Sequence, residues 1–252
     1  MPLNSAEKQK CFRPVIWVVI FVLLGVFLKA QTTAPNPQPP LSNAPVQNPA
    51  AQTPASHPPI IMIDASHGGS ESGAVLGPSV LEKDVTLAYS RRLRQELIAR
   101  GLQALVIRDG DFNLSTDQRA SSVNTARPAL YICVHAASLG VGIRLYTAML
   151  PVSGENSGPF VNWTTAQQGS LARSRMFQQQ LTSAIQKMGF PVRALIAPLR
   201  PLNSVTSPAI AVEIAPANGN VAQLASTDYQ QMTAAAVATA ISSLRSKLEM
   251  AP

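Results

Sequence analysis

Histidine is scarce in this chain, with three in 252 residues, at positions 57, 67 and 135. His67 and His135 each follow a short apolar run, IIMIDAS and LYICV, and an acid, Glu213, lies inside a third run, AIAVEIA. Removing an ionised carboxylate from water costs several kcal/mol unless something pairs with it. No basic residue neighbours Glu213 in the sequence, so a partner has to be brought to it by the fold. A fourth residue, Glu82, opens the segment EKDVTLAYS. Two imidazoles and one carboxylate are the donor set of a catalytic zinc ion with one position left open, and a second carboxylate beside that position can act as general base and then general acid. Plainer readings stand beside this one. His67 fits a turn with Gly68 and Gly69, Glu82 fits a first-turn acid favoured by the helix dipole, and His135 fits a hydrogen-bonded core histidine. Spacing alone leaves both open.

The elements that must position these residues alternate between two periodicities. Residues 60–64 form a continuous apolar run between prolines and SHGGSESG, which predicts a buried strand. Val85, Tyr89, Leu93 and Leu97 recur at every fourth place, predicting a helix over 82–100 that Gly101 closes. A strand is expected over 104–108 and a short helix from Thr116, capped by Ser115 or Thr116. Strands follow at 129–135 and 142–150. Residues 151–169 have loop composition, and a loop of that length is often functional. A helix is expected over 170–189 with Phe177, Leu181, Ile185 and Met188 on one face, then strands at 192–199 and 209–215. A last helix over 227–248 turns Val237, Ile241, Leu244 and Leu248 inward. This pattern predicts an α/β fold, a mostly parallel sheet of about six strands with helices on both faces, as a single catalytic domain. In such sheets ligands gather at the carboxyl ends of the strands, where His67 and His135 fall.

The first 59 residues are of another kind. Residues 14–28 are uncharged and apolar, with Arg13 before and Lys29 after. That is short for a spanning helix of ~20 residues and near the upper limit of a signal-peptide core. Basic residues precede the stretch and no charge separates Lys29 from Asp64, so residues 1–13 stay cytoplasmic and the remainder is exported. Residues 31–59 hold nine prolines and no charge, the composition of an extended tether. The expected organisation is therefore a membrane anchor or signal peptide over 1–30, a Pro-rich linker over 31–59 and a catalytic domain over 60–252. The formal charge of +7 divides as +3 over residues 1–59 and +4 over the rest, without a basic stretch interleaved with aromatics, so no nucleic-acid partner is expected. Cys11 and Cys133 fall on opposite sides of the expected membrane boundary and do not pair; Cys133 reads as a small buried hydrophobe.

Residues 60–248 resemble the zinc-dependent N-acetylmuramoyl-L-alanine amidases. The resemblance runs in order through IMIDASHGG, LEKDVTLAYSRRLRQELIARGLQALVIRDGD, NLSTDQRASSVNTARPALYICVHAAS with Arg119 and Asn124 in step, SLARSRMFQQQLTSAI and SPAIAVEIAPANGN. It implies that His67, Glu82 and His135 bind one zinc ion and that Glu213 is the catalytic acid/base. It also implies hydrolysis of the amide between N-acetylmuramic acid and L-alanine, with peptidoglycan as partner. The N-terminal segment separately gives the expectation of a membrane contact and of action on the periplasmic or envelope side, by a chain expected to be a monomer. Three positions depart from the family pattern. Ala65-Ser66 replace Pro-Gly before the first histidine, stiffening its approach. Ala137 replaces an Asn after the second, removing a side chain that could hydrogen-bond a ligand. Ala215-Pro216 replace Gly-Phe beyond Glu213. Arg144 is either a contact for substrate carboxylates or a solvated surface residue, Trp163 either a stacking ring for a sugar or a pin for the long loop, and Asp64 an orienting group. A zinc peptidase acting on stem peptides and a wall-binding module without activity share the same residues.

Overall fold

The computed structural model describes residues 58–151 and 162–250. The expected anchor, nearly all of the linker, Cys11, His57 and the middle of the 151–169 segment lie outside them. Among the described residues no helix is long and apolar enough to cross a membrane.

The branched apolar run after Pro58-Pro59 forms β1 (Ile60–Ala65), with Ile61, Ile63 and Ala65 fully buried. A small hairpin of β2 (Val75–Gly77) and β3 (Val80–Leu81), not anticipated from the sequence, then leads directly into α1 (Glu82–Ala99). The predicted face of α1 is the buried one: Val85, Tyr89, Leu93 and Leu97 are 3% exposed or less. Gly101, at φ 73°, ends the helix, and the Gly101 and Leu102 N–H groups donate back to Ile98 and Leu97. After β4 (Gln103–Val106) comes α2 (Thr116–Ala126). The Ser115 side chain accepts from the Gln118 N–H while the Gln118 side chain accepts from the Ser115 N–H, which selects Ser115 as the cap.

The sheet is completed by β5 (Leu130–Ala136), β6 (Gly142–Ala148), β7 (Val192–Ala197) and β8 (Ala209–Ala215), with α3 (Leu171–Lys187) between β6 and β7. Its order is β4-β1-β5-β8-β6-β7. Every neighbouring pair is parallel except β8 with β6. β8, the last strand among the described residues, is therefore an interior strand of the sheet. Two helices follow, α4 (Thr227–Ser242) and α5 (Arg245–Glu249).

Side chains alternate across the sheet. One face, with Ile61, Ile132, Val134, Leu145, Val212 and Ile214, packs under α1, α3, α4 and α5 in the larger core. The other carries Met62, Tyr131, Cys133, Ala209 and Ala211 against Ala120 and Val123 of α2 and the turn at 202–205. The helices thus cover both faces.

Three local expectations are corrected. Residues 163–170 are a 3-10 helix rather than loop, started by the Asn162 side chain accepting from the Thr164 N–H and anchored by buried Gln167, whose amide donates to the Val205 and Ser207 carbonyls. The helix expected over 227–248 breaks at Ser243-Leu244. The Ser242 and Ser243 hydroxyls donate to the Thr239 and Ala240 carbonyls and compete with the helical ladder. Met188 is 38% exposed, because α3 stops at Lys187 and Gly189, at φ 84°, turns the chain away.

Candidate metal centre

β1 delivers the chain to the carboxyl edge of the sheet, where it turns through His67 at φ 64°. A non-glycine residue in that left-handed region costs about 1–3 kcal/mol. The turn is held by side chains that grip its backbone. Arg108 is fully buried and donates to the Ala65, Ser66, Lys83 and Gly110 carbonyls at 2.8–3.2 Å. Arg119 donates to Ala65 O at 2.8 Å and to His67 O at 2.7 Å, and its guanidinium pairs with buried Asp64, which also accepts from Tyr131 Oη at 2.7 Å. Asp64 thus orients the turn through Arg119. The Lys83 ammonium adds Gly69 O and Asp111, each at 2.8 Å.

The hairpin β2–β3 and the start of α1 bring Glu82 to the same place, and β5 brings His135. One donor atom from each of His67, Glu82 and His135 lies within 4.8 Å of the others. The glutamate is the hub. Its Oε1 faces His135 Nδ1 at 3.0 Å and accepts from the Ala136 N–H; its Oε2 faces His67 Nε2 at 3.2 Å and accepts from the Ala74 N–H. The space is tight on the outer side, where a Cβ on Gly73, itself at φ 66°, would lie 2.6 Å from the His67 ring and 2.8 Å from Glu82 Oε2.

Each imidazole uses its other nitrogen elsewhere. His67 Nδ1 faces Glu71 Oε1 at 3.1 Å, and His135 Nε2 faces Ser66 Oγ at 3.0 Å, with Cys133 Sγ 3.2 Å from the same hydroxyl. One nitrogen per ring is thereby oriented while the other points at the carboxylate, the arrangement that ligating histidines ordinarily show. The donor set suits a divalent cation of the zinc type. Burial works to raise the Glu82 carboxyl, but hydrogen bonds from His135, His67 and the Ala74 N–H outweigh it and hold the group far below the usual carboxylate range. The hydrogen bond to Glu82 raises His67, against the effect of burial. Burial would lower His135, yet adjacent Cys133 and Glu82 hold it well above the ordinary histidine value.

Glu213 receives its partner from β6. In the antiparallel pair of β8 with β6 it stands opposite Arg144, and in the parallel pair with β5 it stands opposite His135. The Arg144 guanidinium forms an ion pair with Glu213 Oε1, while Tyr146 Oη donates to Oε2 at 3.4 Å. Adjacent strands are ~4.8 Å apart, so His135, Glu213 and Arg144 form one row on the face shared with α2. Arg144 is only 19% exposed at its side chain, which sets aside the solvated-surface reading.

Sequence reasoning missed Arg108, the Glu71 and Ser66 contacts, and Arg144 as the counterion of Glu213. A buried arginine leaves no signature beyond its place after a strand, in VIRDGD. The Arg144 pairing depends on β8 inserting beside β6, which no local pattern encodes. Trp163 is 47% exposed at the start of its 3-10 helix, so it does not pin that segment to the core.

A family model described as N-acetylmuramoyl-L-alanine amidase matches residues 61–243. Among curated relatives, the germination-specific N-acetylmuramoyl-L-alanine amidase of Bacillus subtilis is 34% identical over 90 residues, covering 30% of this chain and 38% of that protein. The N-acetylmuramoyl-L-alanine amidase AmiC of Escherichia coli is 35% identical over 80 residues, 31% of this chain and 19% of that one. The matched segment thus spans well under half of either relative's length. Among solved structures, the catalytic domain of CwlV from Bacillus (Paenibacillus) polymyxa superposes with a TM-score of 0.56 at 21% identity, over 73% of this chain and 97% of that one. AmiC2 of Nostoc punctiforme superposes at 0.55 with 25% identity, over 74% and 96%.

Proposed function

Because this chain belongs to the N-acetylmuramoyl-L-alanine amidase family, we propose that it hydrolyses the amide between N-acetylmuramic acid and L-alanine in peptidoglycan. The proposed ligands of a single zinc ion are His67, Glu82 and His135, and the proposed acid/base is Glu213. The observation that carries this reading is the convergence of those three donors within 4.8 Å, with Glu213 in register beside His135. When bound, the ion supplies Lewis acidity to the scissile carbonyl and makes water acidic enough to lose a proton near neutrality. Glu82 holds both imidazoles toward the site, and the Ala74 and Ala136 N–H groups fix its two oxygens. Arg144 engages Glu213 Oε1, and Oε2, held only by a long 3.4 Å hydrogen bond from Tyr146 Oη, is the oxygen that accepts the proton of the attacking water and then gives it to the leaving amine.

Export through residues 1–30, a tether over 31–59 and a catalytic unit over 60–252 complete the proposal, which puts the active unit in the periplasm or on the envelope face, beside its polymer.

Purified full chain incubated with cell-wall sacculi should release peptides that begin at L-alanine, and a chelator should stop the release until zinc is restored. Peptides cut internally would identify a peptidase instead, and binding without release a wall-anchoring module.

The hydroxyl of Ser66, where the family has glycine, contributes to the same site. Ser66→Ala is expected to weaken zinc binding ~10-fold, because second contacts that orient a ligating histidine usually affect affinity on the 10–100-fold scale. Competition with a chromogenic chelator measures it, and unchanged affinity would show that His135 is oriented without Ser66.

A further inference from the structure

The row His135–Glu213–Arg144 does not stop at β6. Arg144 is the register partner of Arg193 on β7, so two guanidinium groups follow the carboxylate on successive strands. Arg144 is matched by Glu213, but among the described residues no acid pairs with Arg193. Both arginines line one cavity of ≈ 360 Å³, walled also by Gln186, Phe190 and Val192. Arg144 Nε is buried there without a hydrogen-bond partner. The backbone makes room for the guanidinium at Gly140, at φ 102°, where a Cβ would come within 2.7 Å of Arg144 Nη1. Arg144 Nη2 is committed to Glu213 and to the Leu139 carbonyl, so the cavity's net positive charge and its planar donor fork, of the kind that matches a carboxylate, come from exposed Arg193, beside an apolar wall for a short aliphatic stem.

The distance from Glu213 sets which carboxylate. Two strand spacings amount to ~10 Å, and an extended peptide advances about 3.3–3.6 Å per residue. We propose that Arg193 and Arg144, with the cavity they share, form a subsite for a side-chain or backbone carboxylate two to three residues along the substrate's peptide. The direction of the peptide, away from the scissile amide toward β7, rests on the amidase reading; the anion preference does not.

The test uses a product-like peptide that cannot be turned over: the stem tripeptide beginning at L-alanine, with its carboxyls free or all amidated. Calorimetric titration into the full chain in detergent should show the free acid binding about tenfold tighter than the amide, the scale of a lost charge-assisted pair. Arg193→Gln should erase that preference, and Arg193→Lys should restore part of it. Equal affinity for acid and amide, or a preference that survives Arg193→Gln, would overturn the subsite. Release from sacculi, measured in parallel on the unsubstituted chain, reports on the amidase reading independently. A chain that prefers the acid yet releases nothing keeps the subsite and loses the amidase.

Discussion

Glu213→Gln is expected to reduce release from sacculi about 10²–10⁴-fold, the scale of a lost general acid/base, while the chain still carries one zinc ion. The argument is geometric. Glu213 belongs to β8 and contacts Arg144 and Tyr146, whereas the three proposed ligands come from the ends of β1, α1 and β5. Glutamine keeps the size of the side chain and an acceptor oxygen for Arg144, so the row across the sheet persists. It cannot carry a proton between water and an amine. Metal analysis and turnover on the same preparation decide the matter: zinc lost together with activity would make Glu213 a ligand, and activity retained would remove it from the chemistry.

Glu82→Ala is expected to abolish both metal uptake and turnover, because among the described residues Glu82 is the carboxylate that touches both histidines. The same contacts give the unsubstituted chain a characteristic pH response. Glu82 raises His67, and Cys133 together with Glu82 raises His135, above the ordinary value of about 6.5, and protons compete with a cation for the nitrogens that face Glu82. In the metal-free chain, a raised histidine contributes stability that is fully present below the unfolded value and is lost as pH rises through the folded one. Zinc affinity moves the opposite way, strengthening as those protons leave. Thermal melts across pH 5–9 with chelator and with zinc should therefore diverge toward alkaline pH. Glu82→Ala should shrink the slope of the chelator series by removing the His67 contribution and part of that of His135; a slope left unchanged by the substitution would locate the effect elsewhere.

Much of the fold was legible because its signals are local. The four-residue recurrence of Val85, Tyr89, Leu93 and Leu97 specifies the inner face of α1, and AIAVEIA reads as β8 to the residue. The misreadings follow from what one segment does to another. Ser242 and Ser243 break a helix whose apolar period continues through them, and Gln167 turns loop-like composition into an anchored helix by reaching the 205–207 backbone. Of the proposed site, His67, Glu82, His135 and Glu213 stand out in the sequence, and the fold brings the first three within 4.8 Å with Glu213 in register beside His135. The buried arginines that hold the His67 turn, the reversal of β6 that supplies Arg144, and the hydroxyl behind His135 required three dimensions. A paired charge in a sheet interior is visible only once its neighbour strand is known.

The insertion of β8 between β5 and β6 has a consequence for timing. A ribosome or translocon that has delivered everything before Ala209 has produced a chain whose two half-sheets have no strand to join them, and which lacks Glu213. Even a completed β8 that docks one residue out of step turns Glu213 into the apolar layer beneath α3 and α4. On the proposed reading, the acid/base joins the proposed metal ligands only when β8 locks into its slot between β5 and β6, so hydrolytic capacity begins at that step.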